Sequence, residues 1–131
     1  MNPKKIVPLI TTSNLGEVRA FYVDKLGFTV TFEAPMYLGL RCGEHVEVGF
    51  ITPKDAKCSA FAGGGLSLCL EVENVDAEHD RIRSLGIPVV QEPRDNPWGD
   101  RSFVALDPVG IALYVYRTIK PSAEFEKFVK E

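Results

Sequence analysis

The chain nearly repeats itself at an offset of about 60 residues, with one residue inserted in the first copy. Asn14-Leu15 opens a helical pattern that ends in Leu26-Gly27-Phe28 and runs on into TVTFEAP. Asn74-Val75 opens another that ends in Leu85-Gly86-Ile87 and runs on into PVVQEP. A repeat of this kind constrains the architecture before any single residue has a role, because each copy must be a similar supersecondary unit.

Each copy carries its own helix signals. In the first, Asn14 with Glu17 three residues on is a capping-box pair, and Val18, Phe21 and Tyr22 recur at three and four residues on one face, with Gly27 as the stop. The second helix is expected from about Asp76 to Ser84, with Ala77, Ile82 and Leu85 as its apolar positions, Arg81 and Arg83 outward, and Gly86 as its terminator. A short third helix is expected over 122–130, within a C-terminal segment of about 121–130, with Phe125, Phe128 and Val129 as a docking face.

Alternation identifies the strands and their two faces. Phe28, Val30 and Phe32 oppose Thr29 and Thr31; Leu38, Leu40 and Cys42 oppose Tyr37, Gly39 and Arg41. After the Gly43-Glu44 turn, Val46, Val48 and Phe50 oppose His45, Glu47 and Gly49. Past Gly63-Gly64-Gly65, Leu66, Leu68, Leu70 and Val72 oppose Ser67, Cys69 and Glu71, and in the final strand Ile111, Leu113 and Val115 oppose Ala112, Tyr114 and Tyr116. Every strand thus has an aliphatic face suited to packing under a helix and a second face that is mixed, small or aromatic. That second face either meets water, as half-buried antiparallel sheets do, or lines a cavity. Tyr37, Tyr114 and Tyr116 favour the cavity.

At 131 residues the chain is the size of one ordinary domain, read as a single domain over 1–131 with module one at about 5–60 and module two at about 65–117. No apolar run approaches the length of a membrane span, and MNPKKIVPLI lacks a signal-peptide core, so a cytoplasmic location without membrane contact is expected. The three cysteines, Cys42, Cys58 and Cys69, have no metal-type spacing and are read as buried free thiols. A net charge of −3 with scattered Lys and Arg offers no stripe for phosphates, which argues against a nucleic-acid partner.

The segments NLGEVRAFYVDKLGFTV, ENVDAEHDRIRSLG and PWGDRSFVALDPVG, in this order and within a duplicated βαβββ pattern, resemble the glyoxalase/bleomycin resistance/extradiol dioxygenase superfamily over roughly residues 5–117. The resemblance implies an α+β fold: two tandem βαβββ modules, curved mixed sheets around a cavity, a short C-terminal helix after them, and a homodimer. Pro8 in the first strand suits an edge or exchanged position, since proline cannot donate to a central ladder.

The superfamily holds both metalloenzymes and metal-free binders, so the fold does not decide the function. Carried over by motif spacing, the enzymes' ligand positions fall on Val7, Glu47, Ser67 and Tyr114, and only Glu47 is a ligand of the usual type. A catalytic divalent ion generally needs about three protein ligands, so no metal, no cofactor and no catalytic residue is assigned. His45 beside a turn and His79 on a helix face expected to see solvent match none of these positions.

Among metal-free relatives, PWGDRSF followed by DPVG is similar to the stretch in bleomycin-binding resistance proteins where a tryptophan helps line the drug groove; the carry-over here reaches Pro97, Trp98 and Gly99. Asp107-Pro108-Val109-Gly110 is a turn signature in its own right. The expected function is binding of a small molecule, planar aromatic or cationic, by sequestration as in antibiotic resistance. Tyr37, Trp98, Phe103, Tyr114 and Tyr116 are the expected walls, and Arg41, Glu47, Ser67 and Glu71 the expected anchors. Two readings of Glu47 are open: an anchor for a cation, or one half of a cross-strand pair with Arg41. The alternatives are a metal-dependent lyase, isomerase or dioxygenase, metal-free acid-base catalysis by Glu47 with Tyr114, and a partner-binding dimer with a vestigial cavity.

Overall fold

Both copies of the repeat fold to the same strand order. The structure, a computed structural model, describes residues 1–130. Its chain divides into two units, one from Met1 to Gly63 and one beginning at Gly64. The first holds β1 (Leu9–Thr11), α1 (Leu15–Arg19), β2 (Thr29–Ala34), β3 (Tyr37–Cys42) and β4 (Val46–Ile51), in the sheet order β1-β4-β3-β2. The second holds β5 (Ser67–Glu71), α2 (Val75–Ser84), β6 (Val89–Asn96), β7 (Asp100–Leu106) and β8 (Ala112–Thr118), in the order β5-β8-β7-β6, followed by α3 (Ala123–Glu126). In each sheet the first strand runs parallel to the fourth and the other pairs are antiparallel, which is the expected duplicated α+β architecture of mixed sheets.

The aliphatic faces form the cores. In the first unit Leu38, Leu40, Val48 and Phe50 are buried with Ile10 against Val18, Phe21 and Tyr22. The Tyr22 ring meets Phe21, Phe28 and Phe50 at centroid distances of 5.0, 5.3 and 5.4 Å. In the second, Phe103, Ala105, Ile111, Leu113 and Val115 are buried with Val75, Ile82 and Ile87. Each large side chain so removed from water contributes about 1.5 to 3 kcal/mol, so these faces dominate each unit's stability. β1 is an edge strand, and the carbonyl of Pro8 accepts from the Gly49 N–H at 2.9 Å, a ladder position that needs no donor from proline.

Local chemistry departs from the sequence expectations at several points. Asn14 does not cap α1 with its side chain; the Thr12 hydroxyl accepts from the Asn14 N–H instead, at 3.1 Å. α1 then widens into a π-helical stretch, Ala20–Lys25, with Leu26 N–H donating to Phe21 five residues back. The second copy keeps its cap: Asn74 Oδ1 accepts from Ala77 N–H at 3.0 Å. The buried stripe of α2 is Val75, His79 and Ile82 rather than Ala77, because steps of four and three residues put His79 between the other two. His79 is therefore not a solvent-facing residue; its ring packs edge-on against Phe103 at 5.3 Å and its Nε2 lies 2.7 Å from Glu92.

A bulge in β2 reassigns Phe32. Val30 pairs with Leu40 and Phe32 with Gly39, so two residues of β2 span one of β3 and Phe32 turns onto the mixed face. α3 is shorter than the expected 122–130, and of its expected docking face only Phe125 is part-covered while Phe128 and Val129 are exposed. The thiols are not uniformly buried either: Cys58 and Cys69 are exposed, and Cys42 is half-buried with its pKa pushed up by that burial. No helix among the described residues is long and apolar enough to cross a membrane.

Candidate functional site

The mixed face of the first sheet holds a hollow of about 420 Å³, lined among others by Lys5, Val7, Thr31, Phe32, Tyr37 and Glu47, a volume within the range of small-molecule sites. Its floor follows from two glycines. Gly39 and Gly49 lie opposite one another on β3 and β4, and with no side chains there the Tyr37 ring lies down across both. A β-carbon on Gly39 would stand 3.3 Å from Tyr37 Cε1, and one on Gly49 would stand 3.0 Å from Tyr37 Cζ. Phe32, delivered by the bulge, meets the Tyr37 ring edge-on at 5.8 Å. The result is an aromatic corner with the Thr31 and Tyr37 hydroxyls beside it.

Arg41 and Glu47 are register partners on β3 and β4, but the cross-strand ion pair, one of the two readings open for Glu47, is not formed among the described residues. Glu47 is instead held by Lys5. Arg41 is half-buried, and its Nε is shut off from solvent with no acceptor. The lysine on Glu47 comes from the chain ahead of β1.

In the second unit a single carboxylate organises the aromatic residues. Asp100, at the start of β7, accepts from Trp98 Nε1 at 3.0 Å, from the Tyr114 hydroxyl at 2.9 Å and from Asn96 Nδ2 at 2.8 Å. Asn96 is itself buried and also donates to Ser102 Oγ at 2.9 Å. Trp98 lies in the β6–β7 turn, where the Gly99 φ of 115° excludes a side chain without strain. One edge of its indole is tied to Asp100, Phe125 of α3 meets it at 6.4 Å, and the side chain remains about half exposed.

The other expected site residues of this unit separate. Ser67, Glu71, Tyr114 and Tyr116 share the mixed face, since Ser67 pairs with Ala112, Cys69 with Tyr114 and Glu71 with Tyr116. Tyr114 and Tyr116 are half-buried with ring centroids 6.1 Å apart. Burial pushes the Tyr116 hydroxyl pKa up, with smaller contributions from the negative charges of Glu71, Cys69 and Asp100. Phe103 does not belong with them. It pairs with Val115 in the core, fully buried under α2, because alternation along β7 puts Asp100 and Ser102 on the mixed face and Phe103 on the other.

The residues at the enzymes' ligand positions do not fit a divalent ion. Val7 has no donor, Glu47 is engaged by Lys5, Ser67 offers a neutral hydroxyl, and the Tyr114 hydroxyl donates to Asp100. Among the described residues no three His, Cys, Asp or Glu side chains stand together as a metal site requires.

Lys5, Thr31, Phe32, Asn96 and Asp100 were not expected at these sites. Asp100 carried a usable signal, since an acid two residues after a loop tryptophan is within reach of its indole N–H; Phe32 and Thr31 depend on the β2 bulge, Lys5 on the path of the N-terminal segment, and Asn96 on the β6–β7 pairing.

Comparison with known proteins agrees with this architecture. Residues 5–115 match the family model described as Glyoxalase/Bleomycin resistance protein/Dioxygenase superfamily. The chain is 27% identical to the bleomycin resistance protein of Geobacillus stearothermophilus, over 87% of this chain and 96% of that one, and equally to that of Staphylococcus aureus. Among solved structures, a glyoxalase/bleomycin resistance protein/dioxygenase from Nocardioides superposes with a TM-score of 0.77 at 21% identity, covering 92% of this chain and 86% of the other. Lactoylglutathione lyase from Agrobacterium tumefaciens superposes with a TM-score of 0.73 at 22% identity, covering 88% and 95%. The family-model match, which spans both copies of the repeat, means that this chain belongs to the glyoxalase/bleomycin resistance protein/dioxygenase superfamily.

Proposed function

We propose that this protein is a metal-free binder that sequesters a small molecule with a planar aromatic part, an antibiotic being the reading its named relatives suggest. The observation that carries the proposal is the hollow of the first unit, where the Tyr37 ring lies across Gly39 and Gly49 with Phe32 at its edge. A flat ring floor with polar groups beside it supports stacking and orientation of a planar ligand. Tyr37, Arg41 and Glu47 are the binding residues proposed on this unit. On the second unit Trp98, Tyr114 and Tyr116 are proposed as aromatic surface, with Ser67 and Glu71 as polar contacts. The 27% identity to bleomycin resistance proteins supports binding over catalysis. A cytoplasmic homodimer is part of the same proposal, and sizing in solution should give twice the 14.5 kDa chain mass.

The test is a thermal shift screen with planar aromatic compounds, bleomycin included, beside zinc, nickel and ferrous iron, since whatever binds the native state alone raises its apparent stability. The proposal expects a rise with at least one aromatic compound, unaffected by chelator. Stabilisation by a metal alone, with three side chains ligating it in a crystal, would overturn it in favour of a metal-dependent enzyme.

A further inference from the structure

We propose that the hollow of the first unit takes neutral planar molecules whose edge carries an N–H beside a C=O, as in a cyclic amide, and that the Lys5–Glu47 pair reads that edge. This rests on the binding function proposed above and specifies the ligand's charge and its hydrogen-bonding edge.

The inference comes from what the pair leaves unused. Lys5 and Glu47 both line the hollow, and with side chains 63% and 26% exposed they stay within reach of a molecule entering it. Lys5 Nζ donates to Glu47 Oε2. Oε1 remains as an acceptor with no partner among the described residues, and an ammonium that has made one such bond keeps two N–H donors. The pair therefore carries no net charge, yet it presents a donor and an acceptor side by side. A cyclic amide is the complement: its C=O accepts from Lys5, its N–H donates to Glu47, and both bonds are charge-assisted.

The floor fits the same ligand. The Tyr37 hydroxyl lies over Gly49, and Glu47 stands two residues earlier on the same face of β4, about 7 Å along the strand. A two-ring system stacked on Tyr37 can thus bring its edge to the pair. Charge of either sign is disfavoured there. A carboxylate drawn to Lys5 meets Glu47 beside it, and an ammonium drawn to Glu47 meets Lys5, so each must disrupt an ion pair already formed. Removing the lysine reverses the second case, because a free Glu47 suits a cation.

Four bicyclic probes of similar shape test this: 1-isoquinolone, its N-methyl derivative, 1-naphthoate and 1-naphthylmethylammonium. Affinities are measured by calorimetry on the native protein and on Lys5→Met, and amide NMR shifts of Gly39 and Gly49 locate the site. On the native protein isoquinolone should bind first, at least about tenfold tighter than the N-methyl derivative, with both charged probes weaker than isoquinolone. Lys5→Met, a change at an exposed side chain, should bring the ammonium to the affinity of isoquinolone or beyond it. Equal binding of isoquinolone and its N-methyl derivative, a charged probe first on the native protein, or the same order on Lys5→Met, with shifts at Gly39 and Gly49, would overturn the inference and leave the binding function standing. Absence of binding by all four, or shifts confined elsewhere, would overturn both.

Discussion

The hydroxyl of Tyr37 lies over the α-carbon of Gly49, nearer to where a β-carbon would stand than real side chains allow. Glycine at that position is what lets the ring lie flat on the sheet and leaves the hollow open above it.

Gly49→Ala is therefore expected to lift the Tyr37 ring into the hollow. The moving part is the far end of a side chain with two torsions, so the fold should survive with a loss of about 1 kcal/mol, the lower range of overpacking costs. Affinity for a planar aromatic ligand should fall by about tenfold, the equivalent of about 1.4 kcal/mol. Calorimetry and thermal unfolding check this, and Tyr37→Ala in the same background should remove the stability loss. Binding unchanged in Gly49→Ala would show that Tyr37 is not the floor.

Asp100 gathers hydrogen bonds from Trp98, Tyr114 and Asn96. Asp100→Ala removes the acceptor of one hydrogen bond from the buried Asn96 amide and of that from the half-buried Tyr114 hydroxyl, and should cost about 1 to 3 kcal/mol. The indole, no longer tied, should show red-shifted emission and lower fluorescence anisotropy. Because Trp98 is the sole tryptophan, the signal needs no deconvolution. Unchanged emission and anisotropy would mean that Tyr114, Phe125 and the turn backbone hold the ring without Asp100.

The two copies of the repeat should respond differently to one substitution. Asn74→Ala removes a side-chain cap and is expected to lower stability by about 1 kcal/mol. Asn14→Ala removes no such bond, since Thr12 Oγ1 binds the Asn14 backbone N–H, and should change stability by less than about 0.5 kcal/mol. Denaturant unfolding of both variants distinguishes them; equal losses would contradict the capping geometry.

Acid should weaken the anchor of α2. Hydrogen bonds from Arg101 hold the Asp76 carboxyl below its ordinary range, opposed by desolvation and assisted by the electrostatic influence of Arg101, His79 and Arg117. A depressed folded pKa contributes stability that is complete above the unfolded value, about 3.9, and lost as pH falls through the folded one. Asp76→Asn should thus lower Tm slightly at neutral pH and converge on the native protein below about pH 4. Asp76 is exposed, so the effect should shrink with added salt. A constant Tm difference from neutral pH into acid would rule the linkage out.

Much of the fold was legible because it rests on periodicity. The alternation of Leu38, Leu40 and Val48, Phe50 against Tyr37, Gly39 and Gly49 assigns both faces of β3 and β4 without reference to any partner, and Gly27 and Gly86, with φ of 77° and 73°, mark where both helices end. The site was less legible. Phe32 reads as a core residue until a bulge turns it outward, Phe103 reads as a wall until strand pairing fixes the phase of β7, and His79 reads as solvent-facing although Val75 and Ile82 already placed it on the buried stripe. Neither of the two readings open for Glu47, a cation anchor or a pair with Arg41, pointed to Lys5, which the N-terminal segment supplies.

The sequence by itself determined the duplication, the order of elements in each copy and the aliphatic faces, all of which depend on residue type and spacing along the chain. Only the tertiary structure decided which charge meets Glu47, that Asp100 ties Trp98 to Tyr114, and that Tyr37 lies across two glycines. Those contacts join residues distant in sequence at separations of a few ångströms, and a bulge or a one-residue change of strand phase, invisible in composition, is enough to redirect them.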